Sequence, residues 1–369
     1  MRPLVVHCIS KLFPYGGTSR KLLAWVRHSN LAHAFVFYED ECESLEEGAR
    51  KLRSEFVANG ARIVRVGRRT LPGQIAAIRA MAKRADGPVA LVGHYFRGAV
   101  LACLSGALCG APAILALHGP ACLMDRGRKA VHRLLFLRAA IVIYNSEYTA
   151  RTFASVRCPS SRIVYDGIDP DAVPVKSGPG RGGATRLATI GGLVGWKNHE
   201  TLIAMMPRIP DAFHLTIIGD GPDRARLESL ARRLGVGARV AFLGYVDDAA
   251  RLLRCFDILL HPALMESFGM AVLEGLLARI PVVVGDVCAT KEVVGHGAYG
   301  WIASARDPGA WADAVMRMAS DPDGVWERCV AAREWALGRF SGVEYARRMD
   351  EAVLCAATSP LQATAGSRV

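Results

Sequence analysis

Residues 258–284 give the clearest indication of architecture in this chain and read ILLHPALMESFGMAVLEGLLARIPVVV. The apolar run Ile258–His261 has the length of a buried strand, Phe268–Ala278 has the length and spacing of a helix, and Pro281–Val284 is a second strand-like run. A strand, a helix and a strand in this order form a β-α-β unit, whose strands are parallel and whose sheet is covered by helices. The stretch therefore predicts an α/β fold.

The same alternation continues through most of the chain, and only residues 171–185, dense in Gly and Pro, interrupt it as a predicted linker. We expect an N-terminal Rossmann-like domain at 1–170, a C-terminal one at 186–342, and a last segment, 343–369, whose helix returns to the first domain before a frayed tail. Ligands of open α/β sheets bind beyond the carboxyl ends of the strands, so the two parallel-sheet domains are expected to face an interdomain cleft. The other predicted strands are Leu4–Ile9, Ala34–Tyr38, Ala61–Val66, Val89–His94, Ala113–His118, Ala140–Asn145, Arg162–Tyr165, Arg186–Ile190, His214–Gly219 and Arg239–Leu243, and the other predicted helices are Arg224–Leu234 and Val343–Ala357.

The composition indicates a globular protein of two domains. The chain has 369 residues, of which 51% are hydrophobic and 22% charged, which excludes disorder. No apolar run is long enough to predict a transmembrane helix, and the N-terminus is typical of a first strand rather than of a signal peptide. Ten cysteines without C-x-x-C pairs favour a reducing cytoplasm.

The net charge of +12 lies entirely in the first half of the chain. Residues 1–170 hold 24 Lys and Arg against 12 Asp and Glu, whereas the remainder holds 22 of each. Such a surface attracts anionic lipid, nucleic acid or a phosphorylated acceptor, although an ordinary solvated surface is an equal alternative. The segment Arg126–Arg138, with leucines among its arginines, is either a helix that docks on an anionic membrane or a crossover helix with a buried apolar face.

Two glutamates in the opening stretch are candidates for binding hydroxyl groups. Glu266 lies in the loop after the strand, and Glu274 lies eight residues later in the helix, whose first N–H groups are free to hold phosphate. Carboxylates accept hydrogen bonds from vicinal hydroxyls of ribose or hexose. In isolation the pair is better explained by a Glu266 that caps the helix and a Glu274 that is a solvated helix residue.

Two glycine-rich stretches precede this one. Residues 190–203 read IGGLVGWKNHETLI and place Lys197 after a strand, where its ammonium can neutralise a diphosphate. Residues 217–228 read IIGDGPDRARLE, which is an incomplete dinucleotide fingerprint because Arg224 stands where a third glycine is needed. A nicotinamide-dependent oxidoreductase is therefore disfavoured.

Together these stretches resemble the group 1 glycosyltransferases of family 4, which have the GT-B fold. The resemblance rests on the E-x7-E spacing, the Glu-Ser-Phe-Gly loop, and a GDGP segment followed by V-x-F-L-G at residues 240–244. It implies transfer of a hexosyl group from a nucleoside-diphosphate sugar to a saccharide or lipid-linked hydroxyl acceptor, with retention of configuration and with neither a metal nor another cofactor. It also implies a role in cell-envelope polysaccharide or lipid-linked glycan synthesis, in the cytoplasm or on the inner face of the membrane; a small natural-product acceptor is the alternative.

The resemblance also assigns roles to individual residues. Glu266 positions the hexose, Lys197 stabilises the leaving diphosphate and His118 lies beside the sugar, so these three form the catalytic set. One departure is Gly192, which stands where the family carries an arginine. The remaining donor-binding residues are implied to be Gly16, Gly17, Gly191, Gly244, Tyr245, Val246, Ser267, Phe268, Gly269, Met270 and Glu274.

Other classes of function account for less of the sequence. The D-x-D patterns at residues 169–171 and 321–323, which bind a metal in the other major glycosyltransferase fold, contain proline and are typical of turns. A nucleic-acid-binding protein would explain the charge, but no helix-turn-helix, zinc or RNP motif is found. A scaffold with degenerate catalysis stays open because of Gly192.

Overall fold

The computed structural model describes residues 2–9, 17–38, 46–66, 70–179 and 185–358. It divides into two compact units, of which unit 1 comprises residues up to Ile168 together with those from Gly342 onward, and unit 2 comprises Asp169–Ser341. The predicted glycine Gly16 lies outside the described residues.

Unit 1 is built on a parallel sheet with the strand order β3-β2-β1-β4-β5-β6-β7 within the described chain. The order reverses between β1 and β4, so connections leave in opposite directions there and a crevice forms at the carboxyl ends of these strands. The strands are β1 (Leu4–Cys8), β2 (Ala32–Tyr38), β3 (Arg62–Val66), β4 (Val89–His94), β5 (Ala113–Leu117), β6 (Ile141–Tyr144) and β7 (Ser161–Ile163).

Helices cover both faces of this sheet because alternate residues of its buried strands point to opposite sides. On β1, Val5 packs into a core that includes Trp25 and Tyr345, whereas Leu4 and Val6 pack into the core on the other face. The helices of unit 1 are α1 (Gly17–His28), α2 (Glu46–Ala58), α3 (Leu71–Lys83), α4 (Tyr95–Cys109), α5 (Arg126–Arg138), α6 (Glu147–Thr152) and the C-terminal helix Gly342–Thr358.

The C-terminal helix packs on α1 within unit 1. The Trp25 indole Nε1 donates to Asp350 Oδ1 at 2.7 Å, and the Trp25 and Tyr345 rings meet edge to face at 6.3 Å. The last helix of the chain therefore completes the core that the first helix begins.

Unit 2 has a second parallel sheet, with the order β10-β9-β8-β11-β12-β13. Its strands are β8 (Thr185–Ile190), β9 (Phe213–Ile218), β10 (Val240–Gly244), β11 (Ile258–His261), β12 (Val282–Gly285) and β13 (Trp301–Ala303). Its helices are α7 (His199–Met205), α8 (Arg224–Arg233), α9 (Met270–Leu277), α10 (Thr290–Val293), α11 (Pro308–Ser320) and α12 (Pro322–Phe340). The C-terminal helix of unit 1, Gly342–Thr358, is accordingly α13. The prediction of two Rossmann-like parallel-sheet units is confirmed. Of the strands in the described residues, only β13, three residues long, has no counterpart among the predicted strands.

Part of the predicted linker is packed against unit 2. Lys176 Nζ donates to the Phe256 carbonyl oxygen at 3.0 Å and to Asp257 Oδ1 at 2.9 Å. Residues 180–184 lie outside the described residues. The described part of the segment is thus anchored by a partly buried ion pair.

Candidate functional site

The predicted donor-binding residues of unit 2 collect at the carboxyl ends of β8, β9, β10 and β11. Here two glycine loops touch, since a Cβ on Gly219 would lie 2.1 Å from the Gly191 carbonyl oxygen and a Cβ on Gly221 would lie 2.5 Å from that of Leu193. The two glycines of the GDGP motif are therefore required by contact between backbones where β8 and β9 end.

Lys197 and Glu266 meet at this edge of the sheet. Lys197 Nζ lies 2.5 Å from Glu266 Oε2, and the two side chains are only 21% and 19% exposed. The His261 ring, at the end of β11, places its Nε2 3.3 Å from the same carboxylate oxygen. The sequence predicted Lys197 and Glu266 but not His261. The pattern that could have identified His261 is a polar residue at the end of an otherwise apolar strand.

The loop that carries Lys197 is fixed to the loop that carries Glu266. The next residue, Asn198, has a left-handed backbone (φ 58°), and its side-chain Nδ2 donates to the carbonyl oxygens of Pro262 and Ala305. The Leu264 N–H donates to the Trp196 carbonyl oxygen at 2.8 Å. These bonds fix the distance between the two charged groups.

The charge states at this site follow from burial and pairing. Burial raises the pKa of the Glu266 carboxyl, but the adjacent Lys197 ammonium outweighs it and holds that pKa well below its usual range. Burial lowers the pKa of His261, so its ring is neutral near pH 7. The carboxylate is therefore ionised and faces one cation and one neutral imidazole.

The start of α9 provides backbone donors beside Glu266. Gly269 has a left-handed φ of 102°, and a Cβ there would lie 2.7 Å from Thr290 Cγ2, so only glycine fits. The Phe268 ring is buried against Phe340 at a centroid distance of 5.4 Å, which leaves only its backbone for a ligand. Glu274, one turn into the helix, is buried rather than solvated. Ser267 and Met270 flank these residues along the same loop.

The end of β10 presents a different kind of surface. Gly244 turns the chain with φ 78°, and the Tyr245 side chain that follows is 60% exposed, with Val246 half-buried beside it. An exposed aromatic ring after a turn offers a flat face for a nucleotide base.

Gly192 leaves space where the resemblance expects an arginine. A Cβ at this position would meet only the Asp220 carbonyl oxygen, at 3.8 Å. The position therefore accepts a side chain, in contrast with Gly219 and Gly221.

In unit 1, His118 is one member of a row of four hydrogen-bonded histidines, which we call the histidine row: His33, His7, His94 and His118. The ring nitrogens of successive members lie 2.9, 3.0 and 2.9 Å apart. The four histidines come from β2, β1 and β4 and from the residue that follows β5, and these strands are neighbours in the sheet. Successive ring centroids are 5.2 Å apart, which is close to the spacing of adjacent strands, about 4.8 Å. The sheet therefore sets the repeat of the row.

The row ends on a buried ion pair. Lys21 Nζ lies 2.9 Å from His118 Nδ1 and 2.5 Å from Asp166 Oδ1, and both charged side chains are buried. An ammonium can only donate, so His118 accepts at Nδ1 and keeps its proton on Nε2, which fixes the same tautomer along the row. The His33 Nε2 at the far end has no partner among the described residues. Both ring nitrogens of His118 are thus engaged within the protein.

Burial keeps these imidazoles neutral. It lowers the pKa of His33 to about 4 and that of His94 to about 3, and it lowers the pKa of His7 and His118 well below the ordinary value. Sequence reasoning assigned a role to His118, but to none of Lys21, His7, His33 and His94.

Next to His118, Tyr95 has a left-handed backbone (φ 57°) and its hydroxyl lies 2.6 Å from Thr18 Oγ1, one residue after the predicted Gly17. A bulky residue in this conformation is strained, which occurs most often at functional sites.

Helix α5 buries part of its apolar surface and exposes the rest. His132, Leu135 and Phe136 are buried, whereas Leu134 and Leu137 are 66% and 53% exposed. Leu104 and Leu108 of α4, which packs against α5, are also exposed. We call these four exposed leucines, together with the basic side chains of α5, the leucine-arginine surface. The basic side chains are Arg126, Arg128, Lys129, Arg133 and Arg138. No helix in the described ranges is long and apolar enough to cross a membrane.

Known proteins resemble this chain in both units. The family model described as Glycosyltransferase Family 4 matches residues 16–172, and the one described as Glycosyl transferases group 1 matches residues 178–335. A 2-deoxystreptamine glucosyltransferase of Streptomyces kanamyceticus is 28% identical over 63% of this chain and 65% of its own length. A GDP-mannose-dependent alpha-(1-6)-phosphatidylinositol monomannoside mannosyltransferase of Mycobacterium tuberculosis is 28% identical over 54% of this chain and 58% of its own length. The matched stretches therefore span less than two thirds of either relative.

Among solved structures, Anabaena HepE in complex with UDP superposes with a TM-score of 0.81 at 19% identity, covering 96% of this chain and 100% of that one. This likeness shows the fold, which is GT-B. Since the two family models between them match most of unit 1 and of unit 2, the chain belongs to the group 1, family 4 glycosyltransferases.

Proposed function

We propose that this protein transfers a hexosyl group from a nucleoside-diphosphate sugar to a hydroxyl acceptor, with retention of configuration and without a metal ion. The observation that carries the proposal is the position of the ionised Glu266 and of Lys197 beside the first N–H groups of α9. A cation and a helix start suit a diphosphate, and a carboxylate suits sugar hydroxyls.

Each part of the site has a role in the proposed reaction. The diphosphate lies against Lys197 and the α9 N–H groups, the hexose against Glu266, and the ribose against Glu274. As the bond from the anomeric carbon to the phosphate oxygen breaks, negative charge grows on the diphosphate, and these preorganised donors stabilise it. The leaving phosphate takes the proton of the acceptor hydroxyl, which attacks on the same face. Because Glu266 is ionised, it orients the donor rather than supplying a proton.

The experiment is a screen of UDP-, GDP-, ADP- and dTDP-sugars by thermal shift and slow hydrolysis, each with and without EDTA. UDP-sugars come first because the similar Anabaena HepE was crystallised with UDP. Stabilisation by one donor, with sugar released in EDTA, is the expected result. Activity that disappears in EDTA would contradict metal independence, and no response to any donor would leave a scaffold with degenerate catalysis.

The acceptor is proposed to be a saccharide or lipid-linked glycan of the cell envelope. The mycobacterial relative is named for a phosphatidylinositol mannoside. A small natural product is the second candidate, because the Streptomyces relative is named for 2-deoxystreptamine. Radiolabelled transfer into an organic-solvent extract or into a water-soluble aminocyclitol separates the two.

We also propose that the protein acts at an anionic membrane surface on the cytoplasmic side, through the leucine-arginine surface. Exposed Leu134 and Leu137 among basic residues fit lipid tails and acidic headgroups respectively. Sedimentation with phosphatidylglycerol vesicles at low and high salt tests this. Binding at low salt that a Leu134→Glu, Leu137→Glu double variant loses is expected, and no binding at low salt would rule the surface out.

A further inference from the structure

Lys197 and Glu266 contact each other directly. In the proposed function Lys197 contacts the diphosphate and Glu266 contacts the hexose. In the structure, however, Lys197 Nζ lies 2.5 Å from Glu266 Oε2. An ammonium whose charge is compensated by a carboxylate attracts a phosphate less strongly than one that is not. Binding of the diphosphate therefore has to compete with Glu266 for Lys197.

Gly192 makes this competition more important. The resemblance expects an arginine there, which would attract the diphosphate independently of Lys197, whereas glycine leaves that attraction to other groups. The position of Lys197 is itself fixed, since its stem passes over Gly191, with Cδ 3.5 Å from the point where a Cβ would lie. A short movement of the ammonium group, rather than of the loop, is what the geometry allows.

His261 is placed to receive the carboxylate that Lys197 would leave. Its Nε2 is buried, lies 3.3 Å from Glu266 Oε2, and makes no aligned hydrogen bond to any described residue. A buried polar atom without a partner is costly, and hydrogen bonds to charged groups are stronger than neutral ones. Alignment of a neutral Nε2–H with the carboxylate would remove that cost.

We propose that donor binding is an exchange of partners. The diphosphate replaces Glu266 as the partner of the Lys197 ammonium, and the His261 Nε2–H then donates a hydrogen bond to the Glu266 carboxylate. This inference rests on the proposed function. No proton is transferred, because Lys197 stays an ammonium, Glu266 stays a carboxylate and His261 stays neutral. His261 is then a positioning residue, which holds Glu266 at the hexose once the ion pair has opened.

The first test measures the affinities of UDP, GDP, ADP and dTDP, and of the matching nucleotide sugars, by calorimetry in EDTA. Glu266→Gln frees Lys197, so it should bind its nucleoside diphosphate about fivefold more tightly than the parent protein. The matching nucleotide sugar should gain less, because its hexose loses the carboxylate. Lys197→Met should weaken both ligands. Glu200→Gln, which removes a carboxylate from the surface ion pair with Arg226, is the control and should change neither.

The outcomes separate this inference from the proposed function. If the parent protein binds a nucleoside diphosphate and Glu266→Gln binds it no more tightly, the exchange is wrong and the proposed function stands. If the parent protein and all the variants bind none of the nucleotides, both are wrong.

A second test uses the unsubstituted protein and does not depend on the folding of a variant. In a sample with 15N-labelled histidine, the His261 Nε2–H resonance, assigned with His261→Phe, should move downfield on saturation with the nucleoside diphosphate as its hydrogen bond to Glu266 forms. An unchanged resonance at saturation would overturn the exchange.

Discussion

Lowering the pH from 7.5 to 5.5 should destabilise unit 1, because the histidine row has to stay neutral in the folded state. Burial lowers the pKa of His33 to about 4 and that of His94 to about 3, whereas unfolded histidine has a pKa of about 6.5. Between these values the unfolded chain binds protons that the folded chain cannot, so the free energy of unfolding falls as the pH falls.

The magnitude follows from this difference in bound protons. Each histidine whose folded pKa lies near 4 or below contributes a loss of about 1.3 kcal/mol between pH 7.5 and 5.5. His33 and His94 together account for about 2.6 kcal/mol, which is already a large part of the stability of many domains. The lowered pKa of His7 and of His118 adds to the loss in the same direction. Carboxylates with lowered pKa, such as Glu344 at about 2, lose their contribution only at more acidic pH.

The assay is urea unfolding at pH 7.5, 6.5 and 5.5, followed by 19F NMR of protein labelled with fluorotryptophan. Trp25 is the only tryptophan in the sequence of unit 1, and its ring packs against His7 at a centroid distance of 5.0 Å, so its resonance reports on this unit. His33→Asn should reduce the loss by about 1.3 kcal/mol, whereas the exposed His214→Asn serves as the control. An unfolding free energy of unit 1 that is unchanged at pH 5.5 would refute the reasoning.

Further predictions concern the donor site of unit 2. Lys197→Ala should act mainly on kcat, lowering it about 100-fold, with a smaller rise in the donor KM, as steady-state kinetics will measure. Glu274→Ala should instead raise the donor KM about tenfold; unchanged kinetics in both variants would remove the site assignment. Gly192→Arg should fold normally, because the position has space, and should raise kcat about tenfold by adding a second cation for the diphosphate; a fall in kcat would mean that this chain binds the donor differently from its family. Gly221→Ala, by contrast, should destabilise unit 2 by about 2 kcal/mol or more in thermal unfolding, since its Cβ would meet the Leu193 carbonyl oxygen, and an unchanged Tm would contradict the close backbone contact.

Much of the fold could be predicted from the sequence because its signals are local. The lengths of the apolar runs predicted Val89–His94 and Ile258–His261 with the bounds that the structure gives. The short strand Trp301–Ala303 escaped prediction because three residues are too few for a periodic pattern. The segment Asp171–Lys176 was assigned to a linker for its composition, although Lys176 is paired with Asp257 far along the chain.

The candidate site was predictable only where a motif is continuous. The sequence by itself determined the E-x7-E segment and located the GDGP glycines, because each motif is continuous in the chain. That two backbones touch at these glycines is visible only in the structure. Tertiary structure alone decided that Lys197 pairs with Glu266 beside His261, and that four histidines from distant positions form one row ending at Lys21. The physical reason is that the order in which strands pair sets which side chains become neighbours, and that order depends on contacts between residues far apart in the chain.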